Sequence, residues 1–104
     1  MNAAVNRFST GATLTHASAK AALAAGLQQI GGGATGVDCA PLTQFDSSAL
    51  AVLLAWQRAA QARGTILDIV NLPPGLASLA QVYGVDTLLS ARHRPSLDPV
   101  SASL

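Results

Sequence analysis

Apolar positions fall along this chain in short blocks whose spacing switches between that of a strand and that of a helix. Val5 to Phe8 and Ala12 to Thr15 are short extended stretches on either side of Gly11, which predicts two opening strands joined by a turn. Ala17 to Ile30 is rich in good helix formers, and Leu23, Leu27 and Ile30 recur at helical spacing, so they are expected to mark its buried face. Gly31-Gly32-Gly33 ends that helix. Gly36 to Ala40, with Val37 and Cys39 around Asp38, predicts a short buried strand, and Pro41 to Phe45 a loop. Asp46-Ser47-Ser48 then supplies helix-start residues ahead of an apolar run, which predicts a helix to Arg63 closed by Gly64.

Thr65 to Val70 is β-branched and apolar and predicts another strand. Asn71-Leu72-Pro73-Pro74 leads into a helix ending near Tyr83 at Gly84, since proline is tolerated in a first helical turn. Asp86 to Leu89 fits either a helical turn or an edge segment. From Arg92 onward, Pro95, Pro99 and several serines predict a flexible tail over residues 92–104, leaving one domain over residues 1–91. Strands alternating with helices after the opening pair imply crossover connections. The expected fold is a small α/β domain with a mixed, mostly parallel sheet and helices packed on it.

Composition narrows the function by exclusion. There are 104 residues, enough for one domain. Five Arg and one Lys against five Asp give a net charge of +1, with no basic stripe for nucleic acid. Cys39 is alone, so no intramolecular disulfide can form, which fits a reducing compartment. His16 and His93 have no Cys or carboxylate at ligand spacing, so no metal is expected. Residues 1–10 lack an apolar h-region, so no signal peptide is expected. The strongly apolar run Ala49 to Trp56 is too short to cross a bilayer, so direct membrane insertion is not expected.

The Gly-rich segment Gly31 to Gly36 follows a helix and precedes a strand, the reverse of a phosphate-binding loop, and reads as a connector. Cys39 has no adjacent base and reads as a buried strand cysteine. His16 reads as a surface residue. Arg92-His93-Arg94 is a weak patch toward acidic lipid and reads as solvated tail. No paired carboxylates or nucleophile–base arrangement suggests catalysis, so a non-enzyme without a cofactor is expected.

Asp46-Ser47-Ser48-Ala49-Leu50-Ala51-Val52-Leu53-Leu54 resembles the strand-loop-helix signature of STAS domains. Asn71-Leu72-Pro73-Pro74-Gly75-Leu76, with Leu79-Ala80 and Tyr83-Gly84-Val85, is similar to the second half of the same domain, and the pairing of the two motifs is close to the branch found in Mla-type phospholipid ABC transporters. The resemblance implies a cytoplasmic accessory subunit that binds and tunes the transporter ATPase and is peripheral to the inner membrane only through that partner. The alternative it implies is an anti-sigma factor antagonist, with Ser47 phosphorylated by a partner kinase. That branch usually has glycine two residues after the serine, where this chain has Ala49, which tilts the reading toward the transporter. A third possibility is a small ligand near the Asp46 loop.

Two readings of that loop stand side by side. Asp46 and Ser48 are helix caps, their oxygens taking up free N–H groups of the first turn. Ser47 is the candidate switch: a helix start tolerates an anion locally, yet a phosphate would add about −1.5 to −2 charges to a docking face. At about 100° per residue, Ala49, Val52, Leu53, Trp56 and Ala60 fall on an apolar side that should face the sheet. Ser47, Leu50, Leu54, Gln57, Arg58 and Gln61 fall on the other. Ser47, Leu50, Leu54 and Arg58 are therefore the expected partner-binding surface, unless a neighbouring loop covers Leu50 and Leu54.

Overall fold

The structure, a computed structural model, describes residues 6–89. Its elements are β1 (Arg7–Ser9), β2 (Thr13–Leu14), α1 (Ala19–Gly31), β3 (Gly36–Asp38), β4 (Gln44–Phe45), α2 (Ser47–Ala62), β5 (Asp68–Val70), α3 (Pro74–Val82) and α4 (Asp86–Leu89). The α/β class is as expected, and the segment from Asp86 takes the helical alternative. Val5 and the 92–104 tail lie outside the described residues.

The strands pair in two ladders. One has the order β1-β3-β5, and the other joins β2 to β4. Every pair among the described residues is parallel, so the expected opening hairpin and the mixed sheet it would create are not found there. Segments 7–14 and 36–45 instead run side by side in the same direction, each broken by a bend. Thr10 N–H still reaches the carbonyl of Asp38 at 3.1 Å. After Gly11 (φ +75°), Ala12 offers its carbonyl to the N–H groups of both Thr43 and Gln44. The register advances by two residues between the ladders, from Arg7↔Gly36 to Thr13↔Gln44. The 39–43 stretch absorbs that excess, and Gln44–Phe45, expected as loop, becomes a strand.

Helix α1 packs on α2 through a glycine. Trp56 is buried, stands edge-on to Phe8 with ring centroids 5.1 Å apart, and donates its indole N–H to the carbonyl of Leu23 at 3.2 Å. A Cβ at Gly26 would overlap the indole ring. This close approach turns the Gly26–Ile30 line of α1 inward and leaves Leu27 at the margin, 39% exposed, against the expectation that it is buried. Leu14, Val37, Cys39, Leu53, Leu67 and Leu76 complete the centre of the core.

The loop that enters α3 is pinned to the sheet. Asn71 adopts a left-handed backbone (φ +59°) and donates its side-chain amide to Asp38 Oδ1 at 2.9 Å. The same oxygen accepts the N–H of Ala40 at 2.8 Å.

Candidate functional site

The start of α2 is built by one carboxylate. Asp46 is extended (φ −137°, ψ −167°) and caps the helix, Oδ1 accepting from the N–H of Ser48 at 2.8 Å. Its Oδ2 accepts from the N–H of His16 at 3.0 Å, and its own N–H donates to the carbonyl of Leu14 at 3.3 Å. Asp46 therefore ties the end of β2 to the start of α2. These bonds hold its carboxyl below the usual carboxylate range, the His16 N–H first and the Ser48 N–H second. Ser48 contributes its N–H, and its hydroxyl adds to the stabilisation of Asp46. The capping reading of the two residues thus resolves into Asp46 as acceptor and Ser48 as donor.

Ser47 is the first residue of α2, is exposed, and its hydroxyl has no hydrogen-bond partner among the described residues. It sits where the free N–H groups and the positive end of a 16-residue helix favour an anion.

The expected docking face is only partly free. Ser47 and Arg58 are exposed, and Leu54 is half-buried against the core. Leu50 is 4% exposed and belongs to the core. Gln57, placed by periodicity on the same outer side, is 2% exposed. Its amide Nε2 donates to the carbonyl of Leu67 at 2.9 Å, and its Oε1 accepts the N–H of Leu67 at 2.8 Å. The side-chain amide stands in for a neighbouring strand just before β5 begins. More than one face of α2 is covered: the Leu67 segment meets Gln57, and α1, α3 and α4 also pack against the helix. Ala49, Val52, Leu53, Trp56 and Ala60 are buried as expected.

What remains outside is a ribbon of Ser47, Ala51, Arg58, Gln61 and Ala62 along α2, with Lys20 exposed on α1. Between the first turns of the two helices lies an apolar cleft of about 290 Å³, lined by Ala19, Lys20, Leu23, Ser48, Ala51 and Val52. Ala51 and Lys20 were missed in the sequence. A lone alanine and a lone lysine become notable only once the α1–α2 packing is known.

The other candidates fall where their chemistry suggests. Cys39 is fully buried, and burial first, then the charge of Asp38, pushes its thiol up to about 12, so it is protonated at neutral pH. His16 is exposed. Arg92, His93 and Arg94 lie outside the described residues. Among the described residues no three His, Cys, Asp or Glu side chains come together as metal ligands would, and no helix is long and apolar enough to cross a membrane.

A family model described as "Mlab, STAS domain" matches residues 9–90. The chain belongs to the MlaB-like STAS family. The match takes in the whole STAS-type signature at Asp46-Ser47-Ser48 and the Leu72-Pro73-Pro74 to Tyr83-Gly84 segment. No curated protein and no solved structure gives a significant match to the chain.

Proposed function

We propose that this STAS domain is the non-catalytic, cytoplasmic accessory subunit of an Mla-type phospholipid ABC transporter, docking on the ATPase through the exposed start and outer ribbon of α2. The observation that carries the reading is Ser47: an unpaired hydroxyl at a helix start, held in place by the Asp46 cap and set beside an uncovered surface. Family membership supports a partner-binding role. Ala49 supports the transporter branch, because it is fully buried against the core and packs a methyl where the sigma-regulator branch usually has glycine. In this reading ATP hydrolysis and lipid contact belong to the partners, and the domain inserts nothing into the membrane. The contact surface is Ser47, Arg58 and the outer part of Leu54. Leu50 supports it from beneath.

The test is an affinity pull-down from native membranes with wild-type and Ser47→Asp protein, followed by mass identification. The expected result is recovery of an ABC ATPase with its membrane permease by wild type, reduced by Ser47→Asp. Recovery of a small kinase without the ATPase would overturn the reading.

That second outcome has an observation in its favour, since the free Ser47 hydroxyl is also open to a kinase. An anti-sigma factor antagonist would gain phosphate at Ser47 on incubation with its kinase and ATP, and would lose the kinase on modification.

A further inference from the structure

The cleft between α1 and α2 has a composition that selects its occupant. Its walls are the apolar surfaces of Ala19, Leu23, Ala51 and Val52, and Lys20 and Ser48 form its rim. A cavity of about 150 Å³ takes a benzene ring. At about 290 Å³, this cleft takes a Leu, Met or Phe side chain with part of the backbone that carries it. The walls run from residue 19 to 23 and from 48 to 52, about 6 Å along each helix axis, which suits one side chain and covers a fraction of a lipid acyl chain.

The one charged side chain that lines it is Lys20. Helices α1 and α2 carry Lys20 and Arg58 and no carboxylate. Of the described carboxylates, Asp38 and Asp68 lie on the sheet and Asp86 on α4, while Asp46 caps α2 two residues before Ser48 and stays ionised, its oxygens accepting the N–H groups of His16 and Ser48. Lys20 makes no ion pair among the described residues. Lys20, on α1, favours a partner carboxylate on its side of the cleft, away from the Asp46 cap of α2.

We propose that this cleft receives one apolar side chain of the protein partner, flanked by a partner carboxylate that meets Lys20. The proposal deepens the accessory-subunit reading and rests on it for the partner's identity. Docking in the cleft sets the partner backbone against the Ser47 end of α2, since Ser48 forms its rim. A charge added at Ser47 would then meet the partner's own carboxylate, which explains how one modification could release it.

Two arms test this, using full-length protein whose fold is checked by circular dichroism. In the first, purified transporter ATPase is titrated against wild type, Ala51→Trp and Lys20→Glu. Ala51→Trp fills the cleft from an exposed position and should weaken binding about tenfold or more, and Lys20→Glu about three- to tenfold. Binding by wild type with neither change felt would overturn the cleft while leaving the accessory-subunit reading intact. In the second, a displayed library of random helical peptides is selected on the same proteins without any ATPase. Wild type should enrich peptides with Leu, Met or Phe one turn from Asp or Glu. Ala51→Trp should lose them, and Lys20→Glu should shift the enrichment to Lys or Arg. Absence of ATPase binding would sink the accessory-subunit reading alone, and the library would still decide the cleft. Peptides that ignore Ala51→Trp, or cleft-dependent binding to phosphatidylglycerol vesicles in place of peptides, would overturn the proposal.

Discussion

At the scale of single residues, several contacts are exclusive enough to predict their own failure. Gly26 exists to let the indole of Trp56 reach the carbonyl of Leu23. Gly26→Ala should therefore overpack the seam and destabilise the domain by about 1–3 kcal/mol. Trp56 is the one tryptophan, so urea denaturation followed by its fluorescence reads the effect directly. Gln57→Leu keeps the volume but abandons both the N–H and the carbonyl of Leu67 in a buried place, at about 2–4 kcal/mol in the same assay. Two carboxylates respond to acid. Asp38 is held below its ordinary range by the Asn71 amide first and the Ala40 N–H second, and Asp46 by the N–H groups of His16 and Ser48. A depressed folded-state value contributes stability above the unfolded value of about 3.9 and loses it as pH falls through the folded one. Thermal melts of wild type should thus drop between about pH 5 and about pH 2 more steeply than those of an Asp38→Asn, Asp46→Asn double variant. Equal slopes would mean that these bonds are not populated in solution.

At the scale of elements, what could be read from the sequence follows how local the physics is. The start and stop of α2 are written in Asp46, Ser48 and Gly64 (φ +81°), each acting within one turn of itself. The same locality makes Ser47→Asp a clean perturbation. A carboxylate in the first turn agrees with the helix dipole, so the melting temperature should stay at or above that of wild type while partner affinity falls. Unfolding of that variant would remove the basis for treating Ser47 as a switch. Which faces of α2 are buried was only half legible. Periodicity identified the Ala49–Val52–Leu53–Trp56–Ala60 side, because one apolar stripe is a property of the helix itself. Leu50 and Gln57 depend on how many other elements reach the helix, and α3 and α4 lie more than ten residues further along the chain. Leu27 was misplaced for the converse reason, since a glycine one residue earlier set the rotation of α1. Strands β2 and β4 are two residues each, too short to carry any period.

At the scale of the whole molecule, the opening hairpin failed as an expectation because neighbouring strands usually pair, and among the described residues none do. Arg7 meets Gly36, Thr13 meets Gln44, and Gly36 meets Asp68, so each described pair joins residues 29 to 32 positions apart. Such contacts close long loops before they return any stabilisation. The order of synthesis then matters. While a ribosome is making this protein, β1 has nothing to pair with until Asp38 has emerged and β2 nothing until Phe45 has, and β3 waits for β5 to complete its ladder. Chains stalled before those residues emerge should be cut by added protease throughout, and protection should arrive in two steps, as residues 36–45 and then residues 68–70 leave the ribosome.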